Sequence, residues 1–127
     1  MPDRSDEQYP MLPPFKVNWL MRSMSQTVDK GHAIHNIPAA WKRARGKGIK
    51  FGIADTGRPV HRDLEPNIAS TNNLTNDPLE DLVSGHSTHC AGIIAAVDND
   101  EGVVGVCPEA RLFFAKVLND NGSGSDR

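Results

Sequence analysis

The chain has 127 residues, enough for one domain or for part of a larger fold. Apolar residues make up 38% and charged residues 24%, with nine Pro and eleven Gly, which excludes collagen-like and low-complexity chains. A net charge of −2 gives no reason to expect a nucleic-acid partner, and no apolar run approaches the ~20 residues that span a bilayer, so no membrane partner is expected either.

The start, MPDRSDEQYPMLPP, places charges and prolines where a secretion signal has an apolar core, which predicts a cytoplasmic protein. Residues 1–30 read as an N-terminal extension, because Pro2, Pro10, Pro13 and Pro14 prevent regular helix. Residues 17–24 fit either a short helix or an extended piece. The domain proper is expected over residues 31–127, with periodic structure from Ile37. Pro38 suits a helix first turn, residues 39–44 are good helix formers, and Gly46 and Gly48 end the run. Lys42, Arg43, Arg45, Lys47 and Lys50 read as a solvated helix end and strand start.

Residues 49–54 alternate little, as in a strand of a parallel sheet covered on both faces. Residues 58–84 are polar and read as loop. Residues 85–96 are small and apolar, a compact helix with too little polar surface to be exposed. Residues 97–102 read as a turn, 112–118 as a second buried strand and 119–125 as a loop. This order predicts an α/β fold, a parallel sheet with helices on both faces. Cys90 and Cys107 sit in apolar settings and read as two buried free thiols.

Two features carry chemistry. Asp55 stands where a buried strand ends before a Gly, and open parallel sheets collect chemistry at such ends. A strand-end Asp bonding nearby backbone N–H groups is the plainer alternative. The second feature is Gly85-His86-Ser87-Thr88-His89-Cys90-Ala91-Gly92, which opens the buried helix. A helix N-terminus disfavours charge on His86, which suits a neutral base. A pair of structural histidines, or a metal held by His86 and His89, are the alternatives. The Glu of His-Glu-x-x-His is missing.

Together these segments resemble the subtilisin-like serine peptidases. Ile53-Ala54-Asp55-Thr56-Gly57 resembles the family's catalytic-Asp motif, and His61-Arg62-Asp63-Leu64 its His-Pro-Asp-Leu. Gly85 to Gly92 resembles Gly-His-Gly-Thr-His-Val/Cys-Ala-Gly, whose first His is catalytic. Gly102-Val103-Val104-Gly105-Val106-Cys107-Pro108, Ala115-Lys116-Val117-Leu118 and Gly122-Ser123-Gly124 resemble later stretches, so the match runs from about residue 37 to 125. Ser87 and Arg62 depart from it, replacing Gly and Pro.

The resemblance implies a serine endopeptidase acting on polypeptides, with Asp55 and His86 as two members of an Asp-His-Ser triad. His89 is then structural, and Gly122, Ser123 and Gly124 line the substrate cleft. The family's Ser lies roughly 150 residues after its His, whereas 41 residues follow His86. The chain is therefore expected to represent the N-terminal part of a peptidase domain and to hydrolyse no peptide alone. A non-catalytic fragment or a binding module is the alternative. The resemblance further implies structural Ca²⁺ held by Asp63, Asn99, Glu101 and the carbonyls of Val97 and Val103, all hard oxygen ligands. Leu12-Pro13-Pro14-Phe15-Lys16-Val17 resembles the Leu-Ile-Pro-Tyr segment of intracellular subtilisins. It implies an extension that occupies the cleft as an inhibitor, added to a sheet edge.

Overall fold

A computed structural model describes residues 26–125; the segment at residues 12–17 and the undecided piece at 17–24 lie outside the described residues. The chain enters along the loop that follows the longest helix. Thr27 forms a parallel bridge with Val103, and its N–H donates to the Gly102 carbonyl at 2.7 Å.

A short helix, α1 (Lys30–Ile34), follows where the sequence reading placed none. Gly31 inside it masks the pattern, but Asp29 supplies the start signal. Its carboxylate accepts the His32 N–H at 2.9 Å and faces the His32 ring Nδ1 at 3.0 Å. The His32 backbone N–H is the main reason the Asp29 carboxyl is held below its usual range. Helix α2 (Ile37–Ala40) carries Pro38 in its first turn, as expected. It closes at Ala40 rather than at residue 44, and turns follow. Trp41 is anchored elsewhere: its indole N–H donates to the Val106 carbonyl at 2.8 Å, and the Arg45 guanidinium lies 5.3 Å from the ring.

Three parallel strands make the sheet, β1 (Lys50–Asp55), β2 (Ile68–Asn73) and β3 (Arg111–Lys116), in the order β1-β3-β2. β1 and β3 lie within a residue or two of the expected strands. β2 corrects the reading of 58–84 as loop. Its sequence, Ile-Ala-Ser-Thr-Asn-Asn, has no apolar alternation, and Ala69, Ser70, Asn72 and Asn73 are exposed. It is a strand because β3 supplies its hydrogen bonds, and an edge position lets the rest face water. A 3-10 turn, Glu65–Asn67, leads into it.

Helix α3 (His86–Ala95) packs on one face of the sheet. Ala91 and Ala95 have no exposed surface and meet Ile53, Leu112 and Phe114 in the core. The helix expected to be buried is so on one face only: Ser87, Ala91 and Ala95 are buried where a flat small-residue face lets helix and strand approach closely, while His89 and Ile93 are exposed. On the opposite face Gly52 and Ala54 are exposed, so the sheet is covered on one side by the described residues.

The carbonyls that a helix end leaves unpaired are all satisfied at α3. The N–H groups of Ala96, Val106, Cys107 and Gly105 donate to Gly92, Ile93, Ile94 and Ala96 at 3.2, 2.9, 2.7 and 2.9 Å. The remaining carbonyl, Ala95, takes the buried Asn67 side-chain amide at 2.9 Å, which also reaches the Pro108 carbonyl at 2.8 Å. The C-terminal end of α3 is thereby fixed, and its N-terminal end points at the carboxyl end of β1.

Candidate active site

Asp55 is the last residue of β1 and His86 the first of α3. Their side chains meet: Nδ1 of His86 lies 2.8 Å from Oδ2 and 2.9 Å from Oδ1 of Asp55. The Thr56 N–H donates to Oδ1 at 2.6 Å. Both readings of Asp55 therefore hold at once, a strand-end carboxylate capped by backbone and a partner for imidazole. Asp55 is buried, and the ring is half-buried. The two contacts at Nδ1 set the orientation of the ring.

The turn after Asp55 needs a glycine. Gly57 has φ +146°, and a Cβ there would sit 2.4 Å from the Leu79 carbonyl oxygen. Backbone bonds from Arg58 to Leu79 and from Asp81 to Arg58, both 2.8 Å, hold the 79–81 segment against it. Lys116 lies in register with Asp55 and is wholly buried. Its ammonium donates to the Thr56 carbonyl and, at 2.7 Å, to Asp120 Oδ1. Neither Lys116 nor Asp81 was assigned a role from sequence. A lysine in an otherwise apolar strand was the available signal for the first.

The expected calcium positions come together around buried Asp63. Its Oδ1 accepts the Asn99 side-chain amide at 3.1 Å, and its carbonyl accepts the Val97 N–H at 2.9 Å. Gln26 was placed in the extension by the sequence reading. Here its amide donates to the Val97 and Val103 carbonyls at 2.9 and 3.3 Å. Two amide NH₂ groups thus serve three oxygens of the expected set. Rotating each amide by half a turn presents its oxygen instead, an exchange that side-chain amides allow and that costs Asn99 the bond its Oδ1 accepts from the Glu101 N–H at 3.2 Å. The donor set then consists of oxygens alone and fits a hard cation. Glu101 is drawn to the side: its carboxylate pairs with the Arg62 guanidinium, whose Nε also lies 3.6 Å from Asp63 Oδ1.

Gly122, Ser123 and Gly124 follow β3 in a loop closed by Asn119. The Ser123 N–H donates to the Asn119 side chain at 2.9 Å, and its carbonyl accepts the Asn119 N–H at 2.8 Å. The loop leaves the sheet at the same strand ends as Asp55.

Asp55, His86 and Cys90 are the described residues whose potential ligand atoms all lie within 4.8 Å of one another. His89 is exposed and stands outside this group, so the His86–His89 metal alternative gains no support.

The profile of the Subtilase family matches residues 46–127. The chain belongs to the subtilase family. It is 44% identical over 103 residues to an intracellular serine protease of Paenibacillus polymyxa, covering 76% of this chain and 32% of that one. It is 43% identical over 105 residues to the major intracellular serine protease of Bacillus subtilis (strain 168), covering 76% of this chain and 33% of that one. It thus spans about a third of these relatives. The MycP3 protease of the type VII (ESX-3) secretion system superposes with a TM-score of 0.63 at 27% identity, over 78% of this chain and 27% of that one. The incomplete parallel α/β sheet is that of a subtilisin-like fold. Among the described residues no helix is long and apolar enough to cross a membrane.

Two features of this subtilase have measurable effects. Ser87 replaces the usual glycine after the histidine, and its side chain is wholly buried with no hydrogen-bond partner for Oγ among the described residues. Burying an unpaired hydroxyl is unfavourable. Ser87→Ala should therefore stabilise the chain by about 1 kcal/mol, seen as a higher Tm. An equal or lower Tm would contradict the orphaned hydroxyl.

Cys90 and Cys107 are both free thiols, half-buried rather than buried. Cys90 Sγ lies 3.8 Å from Nδ1 and 4.0 Å from Nε2 of His86. Burial pushes its thiol pKa up from 9.0, and the Asp55 and Asp81 carboxylates add to the effect. The thiolate is the reactive form. At pH 8, alkylation of Cys90 by iodoacetamide should run slower in the folded than in the denatured chain, followed by peptide mass spectrometry. Equal rates would refute the raised thiol.

Proposed function

We propose that this chain supplies the aspartate and histidine of an Asp-His-Ser triad in a serine endopeptidase that cleaves polypeptides through an acyl-enzyme. The observation that carries the reading is the Asp55–His86 contact at 2.8 and 2.9 Å, formed between a strand end and a helix start. Asp55 accepts the Nδ1–H and orients the ring. Nε2 of His86 takes the hydroxyl proton as the serine of the remaining domain attacks the scissile carbonyl, and then returns it to the leaving amine. Asp55 stabilises the imidazolium between these steps. Gly122, Ser123 and Gly124 border the cleft, where the extended substrate adds as a strand.

The test is a chimera in which residues 31–127 replace the matching part of the Paenibacillus polymyxa relative. It should hydrolyse casein, and His86→Ala should abolish the activity. The 127-residue chain alone should hydrolyse none. A folded chimera that is inactive, or one indifferent to His86→Ala, would sink the proposal.

Structural Ca²⁺ belongs to the same reading. Asp63, Asn99, Gln26 and the Val97 and Val103 carbonyls would hold it, and its charge would tie the entering chain to the loop after α3. Glu101 contributes once Arg62 releases it. At a free Ca²⁺ concentration about 100 times Kd the gain is about 2.7 kcal/mol, so Tm should rise. An unchanged Tm would remove the calcium proposal. The names of the intracellular relatives support a cytoplasmic location. The extension at residues 1–30 belongs to the reading as an inhibitor of the cleft, on the likeness of residues 12–17 to the Leu-Ile-Pro-Tyr segment, and a cut before residue 30 should then raise activity in the full-length enzyme.

A further inference from the structure

Asp81 is buried, 6% exposed, and both of its carboxylate oxygens accept two hydrogen bonds. Oδ1 takes the Thr56 hydroxyl at 2.8 Å and the Gly85 N–H at 3.0 Å. Oδ2 takes the Thr88 N–H and the Thr88 hydroxyl, both at 2.8 Å. Thr56 follows Asp55, while Gly85 and Thr88 bracket His86. One side chain therefore grips the immediate neighbours of both members of the pair.

The sequence explains why α3 needs this. Gly85 occupies the N-cap with left-handed backbone and has no side chain to cap the helix. The first N–H groups of a helix have no partner within it, and burying them unpaired is costly. Asp81 serves Thr88 from outside the helix and sets a negative charge against its positive end. The Thr56 hydroxyl extends the link, because while donating to Asp81 it also accepts the Ser87 N–H at 3.3 Å. Strand end and helix start are joined through one carboxylate and one hydroxyl.

We propose that Asp81 is a positioning residue for this pair, a clamp that sets the separation of Asp55 and His86 by binding the Thr56 hydroxyl on one side and the first turn of α3 on the other. Its role differs from that of Asp55, since its carboxylate oxygens bond Thr56, Gly85 and Thr88. It needs the hydroxyl of Thr56, which valine mimics in shape but not in chemistry. Reacting groups lose rate when displaced by about an ångström, so such a clamp matters even where the fold survives its loss.

The inference rests on reading Asp55 and His86 as a hydrogen-bonded pair, and the test reads that bond rather than turnover. In the 127-residue chain, proton NMR follows the His86 Nδ1–H, which a carboxylate partner shifts far downfield; Asp55→Asn identifies the signal. Asp81→Asn and Thr56→Val should abolish it or speed its exchange with water at least tenfold while circular dichroism stays native. Thr56→Ser should preserve it. An unchanged signal in folded Asp81→Asn and Thr56→Val would overturn the clamp and leave the pair intact. Unfolding of both would overturn it too, by assigning Asp81 to stability alone. Absence of the signal from the unsubstituted chain would remove the pair itself, and the clamp with it.

Discussion

Asn in place of Asp55 should lower the kcat of the chimeric peptidase by about 10⁴-fold, with little change in KM. The substitution is nearly isosteric, and its oxygen can still accept the Thr56 N–H that now reaches Oδ1 at 2.6 Å. Its NH₂ would then face His86 Nδ1, where Asp55 now sits at 2.8 Å. A donor at that point forces Nδ1 to accept, so the ring proton moves to Nε2. The atom that must take the serine proton is then already protonated. Substrate contacts do not involve Asp55, so the loss falls on the chemical step. A variant within tenfold of the parent would show that Asp55 is a strand-end cap alone.

Gly105→Ala should destabilise the chain on the order of 4 kcal/mol, a drop in Tm of roughly 20 °C for a domain of this size. A Cβ at Gly105 would lie 2.5 Å from the Ala95 nitrogen and 2.6 Å from Ala95 Cα and the Ala96 nitrogen. These are backbone atoms at the end of α3, unable to swing aside. Relief requires the 105–107 segment to retreat, which gives up the bonds from Gly105, Val106 and Cys107 to Ala96, Ile93 and Ile94. Each is worth about 1 kcal/mol, and the carbonyls left behind are partly buried. A Tm within 5 °C of the parent, roughly the shift from 1 kcal/mol, would mean that the segment yields freely.

The candidate pair was legible because each half lies in a short run whose character is local. Asp55 ends an apolar run before Gly57, and His86 opens a run of small residues. The rest depended on partners distant in sequence. β2 is polar and becomes a strand only because β3 lies beside it. Asp81 and Asn67 look like ordinary loop residues until the ends of α3 are placed on them. Gln26 stands in a polar stretch, and its link to the Val97 and Val103 carbonyls crosses most of the domain. Lys116 reads as a surface residue by type, yet the Thr56 carbonyl and Asp120 satisfy its ammonium in a fully buried place. Beyond α2 the Trp41 backbone N–H still closes on Ile37, and its indole is held by the distant Val106 carbonyl, which the local pattern does not show.

The strand order has a kinetic consequence. Both strand pairs are parallel and join distant parts of the chain, Lys50 with Arg111 and Ile68 with Leu112. No hairpin exists in this sheet to form early and template the next strand. The ten-residue α3 is too short to persist alone in water. Of the three described strands the central one is made last, and until it is neither neighbour has its partner in this sheet. Loop closure must come before any reward from pairing, which makes the search slow even where the final state is secure. The weak point of this topology is the time its strand edges spend waiting, so the chain is most exposed to aggregation while it is being made.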